Sequence, residues 1–242
     1  MIIYGKNAIK EALNSDVTIN KLFVENGKRL DKFEQEILEL AKAKKIKIAF
    51  EPKNFLTQKC TNSNHQGFIA DITKFIYSTT NDILENAHKK DEQPFILILD
   101  SITDPQNFGA IIRSAECAGV HGIIISKDRS CNVNETVYKT SSGAVSDMLI
   151  AKVTNIAREI ETLKKENIWV YGLELGGKNI YDTKLGGAIA LVVGSEGNGL
   201  RQLVKETCDE IISLPMQGQI NSLNASVATG IAVYEILRQR LG

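Results

Sequence analysis

The chain has 242 residues, of which 43% are hydrophobic and 24% charged, with 29 lysines and arginines against 29 acids. This composition is typical of a globular protein with a sizeable core and excludes a disordered chain. No apolar run reaches membrane-spanning length, and the first residues lack the apolar stretch of a signal peptide. We therefore expect a cytoplasmic protein without a membrane partner.

The charges are unevenly distributed along the chain. Residues 1–90 hold 15 lysines and arginines against 11 acids, whereas residues 91–242 hold 14 against 18. The densest basic stretch is Lys42 to Lys47, which could equally be a solvated helix end. The imbalance indicates that the N-terminal part is the one that faces phosphates.

The first 75 residues mix helical and strand patterns. Apolar spacing predicts helices over residues 4–14 and 31–44, and alternation predicts strands over 19–26, 45–50 and 67–73. This pattern indicates a compact α/β unit, residues 1–75, without a catalytic motif. Residues 76–93 are polar and charged, which is typical of a linker with at most one short helical turn.

Residues 94–242 have a different pattern of apolar residues. Short, continuous apolar runs are typical of strands buried on both faces of a parallel sheet, and here they occupy residues 95–100, 122–126, 168–175, 189–194 and 210–215. The sequence predicts an α/β domain with ligands at the carboxyl ends of its strands. The last helix is apolar on many sides, which suggests a subunit interface in addition to its own core.

The four cysteines and three histidines are scattered and form no recognisable pattern. Neither a zinc site nor a disulfide framework is supported, and no histidine lies in a catalytic context beside a cysteine. The cysteines are Cys60, Cys117, Cys131 and Cys208.

The stretch DPQNFGAIIRS, residues 104–114, follows the first buried run, which Asp100 closes. We expect Asn107 to cap a helix that runs to about Ala118. Arg113 then lies on that helix. Taken alone, the stretch is best explained as a capped helix with a surface arginine.

The stretch GSEGNGLRQLV, residues 194–204, also follows a buried run. Its glycines have the order G-x-x-G-x-G, which matches neither the dinucleotide pattern nor the phosphate loop. It is either a tight strand-to-helix turn or a loop whose backbone approaches a bulky ligand closely, with Glu196 at its centre.

The stretch LPMQGQINSLNASVATG, residues 214–230, follows a third buried run. Ser222, Asn224 and Ser226 surround a helix start, and capping explains only one or two of them. Three polar loops that follow three buried strands are how an open α/β sheet builds a ligand site.

These three stretches resemble the signature motifs of the SpoU/TrmH family of RNA ribose 2′-O-methyltransferases, in the SPOUT superfamily. The matches are N-x-G-x-x-x-R at 107–113, V-G-S-E-G-x-G at 193–199 and S-L-N-x-S-V-A at 222–228. Most of the chain is similar to the subgroup that methylates a guanosine of 23S ribosomal RNA. Residues 141–147 depart from the usual pattern of that subgroup. This departure affects the expected shape of the loop that faces RNA, and it does not affect the expected reaction.

The resemblance implies a fold and a set of partners. It implies a C-terminal trefoil-knot methyltransferase domain over residues 94–242, and a small N-terminal RNA-binding domain of ribosomal-protein-like fold. It also implies S-adenosylmethionine as the cofactor, 23S ribosomal RNA as the substrate, and a homodimer with a composite site, formed through the C-terminal domain.

The resemblance also implies roles for individual residues. It places Arg113, Asn107, Glu196, Ser222 and Asn224 at catalytic positions. It places Gly194, Leu214, Leu223, Met216 and Glu196 at the cofactor.

The role of Arg113 leaves two possibilities. The family mechanism proposes it as the base, but a guanidinium stays protonated in proteins, so we expect it to grip the substrate phosphate. Other functions also stay open: a transfer-RNA target, or an RNA-binding assembly factor without chemistry. A nicotinamide enzyme is disfavoured by the glycine order.

Overall fold

The structure is a computed structural model that describes residues 1–14, 17–60, 64–73, 75–218 and 222–242. Its contacts divide the chain into two compact units. The first comprises Met1–Ile76 and Val133–Asp147, and the second comprises Tyr77–Asn132 and Met148–Gly242. In the described residues no helix is long and apolar enough to cross a membrane.

The first unit is built on a four-stranded sheet of order β1-β4-β2-β3, in which only β2 and β3 are parallel. A capping box between Asp31 and Glu34 begins the second helix. The elements are β1 (Ile2–Tyr4), α1 (Lys6–Asn14), β2 (Ile19–Glu25), α2 (Lys32–Ala43), β3 (Lys47–Glu51), α3 (Lys53–Lys59) and β4 (Phe68–Ile72).

The second unit is built on a six-stranded sheet in which every strand pair is parallel, in the order β10-β8-β9-β5-β6-β7. Its elements are α4 (Thr80–Lys89), β5 (Phe95–Leu99), α5 (Pro105–Cys117), β6 (Gly122–Ser126), β7 (Ile150–Val153), α7 (Ile156–Lys165), β8 (Trp169–Asn179), β9 (Ile189–Val193), α8 (Gln202–Thr207), β10 (Glu210–Ser213) and α9 (Ala225–Leu241). The helix α6 (Glu135–Thr140) belongs to the first unit.

The predicted parallel α/β class is confirmed, and each of the five apolar runs forms a strand. The strand β7 was not predicted. The segment predicted as a linker contains the ten-residue helix α4, whose Ile83 and Ala87 are buried. The domain boundaries and the trefoil knot stay predictions, and residues 219–221 of the third motif's loop lie outside the described residues.

The topology determines where a ligand can bind. From β5 the sheet continues through β6 to β7 on one side, whereas β9 lies on the other side, between β5 and β8. Every residue of β5 and of β9 is buried. The chain leaves β5 toward one edge of the sheet and leaves β9 toward the other edge. Where two adjacent parallel strands do this, a crevice forms at their carboxyl ends. The three polar loops begin at this edge.

Candidate active site

The helix α5 begins differently from the prediction. Asp104, not Asn107, is the N-cap, and its carboxylate accepts hydrogen bonds from the backbone N–H groups of Gln106 and Asn107, both at 3.2 Å. Pro105 occupies the first helical position, where its missing N–H costs nothing. The prediction that Asn107 caps the helix was wrong. Its side chain is instead available for contacts outside the helix.

The loop after β9 closes on itself. The backbone N–H of Ser195 donates to the carbonyl of Gly199 at 3.2 Å, and the N–H of Gly199 donates to the carbonyl of Ser195 at 3.0 Å. Gly199 has a φ of +63°, which favours glycine. A Cβ atom at Gly194 would lie 2.2 Å from the Gly199 carbonyl oxygen, so this position admits no side chain without a shift of the loop.

A cluster of three side chains joins the three motifs. Asn107 Nδ2 donates to Glu196 Oε1 at 3.1 Å, and Asn224 Nδ2 donates to Asn107 Oδ1 at 2.9 Å and also to Glu196 Oε1. The backbone N–H of Ala225 donates to the same Glu196 oxygen at 3.0 Å. Asn224 is also the N-cap of α9, through its Oδ1. The cluster therefore links α5, the β9 loop and α9.

A cavity of about 450 Å³ lies beside this cluster. Its volume is within the range of small-molecule and cofactor sites, about 300–1,000 Å³. Its walls come from the end of β8, the β9 loop, the segment after β10 and the first turn of α9. Two predicted catalytic residues, Glu196 and Ser222, line it. All the sequence-predicted cofactor residues line it as well: Gly194, Glu196, Leu214, Met216 and Leu223. Their roles as cofactor ligands stay predictions.

Arg113 is placed differently from the other predicted catalytic residues. It lies on the exposed side of α5, about 9 Å along the helix axis from Asn107. It is not one of the cavity-lining residues in the part of the chain that the structure describes. Burial and Glu116 raise the pKa of the Cys117 thiol, and Arg113, four residues earlier on the same helix, opposes this shift.

Two carboxylates that sequence reasoning did not identify fix the far end of the loop. Asp100 is fully buried, and it accepts from the backbone N–H of Arg201 at 3.0 Å and from its Nε at 2.6 Å. Glu174, which lines the cavity, accepts from the backbone N–H of Leu200 at 3.2 Å and from Lys205 Nζ at 2.5 Å. An acid within the otherwise apolar run of β8 was the available signal for Glu174.

The thiols of this unit are poor nucleophiles. Burial raises the pKa of Cys131 to about 11 and that of Cys208 to about 12. Because the thiolate is the reactive form, neither group is nucleophilic near neutral pH. We therefore take the polar cluster beside the cavity as the candidate centre for chemistry.

Comparison with known sequences identifies the family of this chain. The sequence model of the SpoU rRNA methylase family matches residues 94–234, and the model for RNA 2′-O ribose methyltransferase substrate binding matches residues 2–78. The 23S rRNA (guanosine-2′-O-)-methyltransferase RlmB of Escherichia coli K12 is 40% identical over 99% of this chain and 98% of its own length. YacO of Bacillus subtilis, assigned to the TrmH family of tRNA/rRNA methyltransferases, is 42% identical over 98% of this chain and 95% of its length.

Solved structures agree on the fold. The SpoU methyltransferase AviRb from Streptomyces viridochromogenes superimposes with a TM-score of 0.83 at 22% identity, over 100% of this chain and 90% of that chain. An RNA 2′-O ribose methyltransferase superimposes with a TM-score of 0.80 at 25% identity, over 100% and 89%. Family model, full-length relatives and fold thus lead to one assignment: this chain belongs to the SpoU rRNA methylase family.

Proposed function

We propose that this protein transfers the methyl group of S-adenosylmethionine to the 2′-hydroxyl of a guanosine ribose in 23S ribosomal RNA. The observation that carries the proposal is the hydrogen-bonded cluster of Asn107, Glu196 and Asn224 at the cavity. Its members come from the three family motifs. The full-length similarity to RlmB enzymes supports the choice of a guanosine in 23S RNA.

The cavity fits the cofactor in size and in chemistry. Leucine, valine and alanine side chains supply apolar contacts for a flat base, and the carboxylates of Glu174 and Glu196 suit a cationic ligand. The relative AviRb was crystallised with the same cofactor. When bound, S-adenosylmethionine supplies an electrophilic methyl group on a positively charged sulfur.

The residues of this chain then have two tasks, to align the ribose hydroxyl and to ease the loss of its proton. Glu196 Oε1 accepts three hydrogen bonds from protein donors, whereas its Oε2 accepts none from described residues. That second oxygen can accept a hydrogen bond from a ligand. We assign Arg113 to the substrate phosphate, because a guanidinium is a strong phosphate ligand and a poor base.

The position of Arg113 fits a composite site in a homodimer. On α9, Val227, Ile231 and Tyr234 are spaced by four and three residues and are 49%, 38% and 50% exposed. They form an apolar stripe on one side of the helix. The helix α5, which carries Arg113, packs against α9. A second copy seated on this stripe would bring the exposed Arg113 to the neighbouring site.

Sedimentation velocity tests the dimer. The protein should sediment as a dimer at assay concentration, and Ile231→Asp should convert it to a monomer because it places a charge in the apolar contact. Thr162→Asp, at an exposed position of α7, is the control. A monomeric wild-type protein would contradict the composite site.

Methyl transfer tests the activity. Purified protein, labelled S-adenosylmethionine and in vitro transcribed 23S ribosomal RNA should yield one labelled 2′-O-methylguanosine, identified by nuclease digestion and mass spectrometry. Transfer to bulk transfer RNA instead would indicate the alternative substrate. RNA binding without any methyl transfer would favour an assembly factor.

A further inference from the structure

The charges of the first unit are segregated. Two of the three acids of α2 are paired with lysines from elsewhere in the unit: Glu34 lies 3.1 Å from Lys6 and also pairs with Lys28, and Glu36 lies 2.8 Å from Lys10. These pairs neutralise one side of the unit. The basic excess therefore remains elsewhere.

Part of that excess lies on β3, α3 and the start of β2, and the rest lies at the end of α2 and in the turn after it. Residues 41–60 hold six lysines and a single acid, Glu51. Within the described residues, Lys21, Lys47 and Lys59 form no ion pair with a carboxylate. These three lysines are the only residues we include in the surface called the lysine face below.

Register places the three lysines on one face of the sheet. Lys21 is opposite Lys47, and Phe23 is opposite Ala49, so these four side chains share a face. The helix α3 covers the same face, because Phe55 packs against Phe23 with ring centroids 5.7 Å apart. Its last residue, Lys59, extends its side chain to the Phe23 ring on this face.

Two of the three ammonium groups lie at a single aromatic ring. Lys21 Nζ is 4.7 Å and Lys59 Nζ is 5.0 Å from the Phe23 ring centroid, and Lys59 Nζ is also 5.6 Å from that of Phe55. The rings hold both cations in place. The acid opposite Lys21 on β4, Asp71, already pairs with the Met1 ammonium at 3.3 Å.

Glu25 and Glu51 share this face, but each lies four residues further along its strand than Lys21 or Lys47. Because Met1 already engages Asp71, the lysine ammonium groups repel each other, which an anionic ligand would relieve. We propose that the lysine face is the surface through which the first unit binds the phosphates of the RNA substrate. The half-buried ring of Phe55 beside Lys59 offers a stacking surface that a nucleic acid can use and a bare anion cannot. The inference rests on the proposed function, because it takes the substrate to be RNA.

The test measures RNA binding by the full-length chain across a salt series, with in vitro transcribed 23S ribosomal RNA. The triple variant K21Q/K47Q/K59Q should lower the slope of log K against log salt by about 2 to 3, because each lost phosphate contact removes nearly one unit. The RNA KM should rise roughly tenfold, while the KM for S-adenosylmethionine stays unchanged.

Two controls accompany this variant. K89Q/K90Q/K165Q removes the same charge from exposed lysines of the second unit and should leave the slope near the wild-type value. K21R/K47R/K59R keeps the charge and should restore binding, which separates a charge effect from misfolding. Thermal melts followed by circular dichroism compare the folded fractions.

The outcomes separate this inference from the proposed function. A salt slope and an RNA KM equal to those of K89Q/K90Q/K165Q would overturn the lysine face, even if the wild-type protein methylates RNA normally. A wild-type protein that binds RNA through these lysines but transfers no methyl group would support the lysine face and overturn the proposed function.

Discussion

Asn107 Nδ2 donates a hydrogen bond of 3.1 Å to Glu196 Oε1, which joins two residues 89 positions apart in the chain. The contact connects the first turn of α5 with the loop after β9. Asn224 donates to both residues from the start of α9. A single carboxylate oxygen therefore joins three chain segments at the proposed methyl-transfer site.

Removal of that carboxylate should be severe. Glu196→Ala leaves three donors without their acceptor, and each lost charge-assisted hydrogen bond costs about 1.5–3 kcal/mol. We expect single-turnover methyl transfer to fall at least about a hundredfold. Glu196→Gln keeps one acceptor oxygen and should lose less. Equal activity of wild type and Glu196→Ala would remove this residue from the site.

Arg113→Ala should abolish detectable methyl transfer. We expect its rate to fall about a hundredfold or more, because the substitution removes the group assigned to the substrate phosphate. Binding of S-adenosylmethionine, measured by calorimetry, should survive, since Arg113 lies outside the cavity lining in the described residues. Arg158→Ala, another exposed arginine, is the control. Near-normal turnover by Arg113→Ala would show that its assigned role is wrong.

Glu174 should act on the cofactor through the loop it holds. Glu174→Ala leaves the Leu200 N–H and Lys205 without their acceptor, and a lost hydrogen bond of this kind costs about 1–3 kcal/mol. The KM for S-adenosylmethionine should rise about tenfold or more, with a smaller change in kcat. Lys205→Met breaks only the ion pair and should have a weaker effect. An unchanged KM in Glu174→Ala would contradict this.

His121 should make the protein less stable in acid. Its Nδ1 accepts from the Phe95 N–H at 3.0 Å, so the neutral ring carries its proton on Nε2, which lies 3.1 Å from Glu92. Burial lowers the pKa of His121 below 6.5. Unfolding therefore takes up a proton at low pH, and stability should decline as pH falls below 6.5.

Urea unfolding from about pH 7.5 to pH 5 checks this expectation, with a slope of at most about 1.4 kcal/mol per pH unit from one histidine. Burial lowers the pKa of His65 as well, so the wild-type curve contains both contributions. His121→Gln should have the shallower pH dependence. If the free energies of unfolding of wild type and His121→Gln differ by the same amount at every pH, His121 does not contribute to the pH dependence of stability.

Three of the strands that the sequence predicted in the second unit, β5, β6 and β9, are buried at every residue and form continuous apolar runs. The edge strand β7 is only four residues long and includes Lys152, too short and too mixed for a periodic signal. The helix α3 has a single buried residue, Leu56, and was not predicted for a similar reason. Local patterns thus identified each strand of the second unit that is buried along its whole length.

Some features of the site had a local sequence signal and others had none. Asp104 followed by Pro105 was a stronger helix-start signal than Asn107, and the sequence contained it. Contacts across 89 and 117 positions have no local signal at all. Only the family resemblance brought those residues together before the structure did, and the hydrogen bonds among them supply the physical reason.

Asn224 has a consequence for engineering. Ser, Thr and Asp are the substitutions a stability design would accept at a helix N-cap, because each keeps an oxygen for the first backbone N–H groups. None of the three has the amide N–H donors that Asn224 directs to Asn107 and Glu196. A library sorted for thermal resistance would therefore retain variants at this position that fold well and methylate nothing.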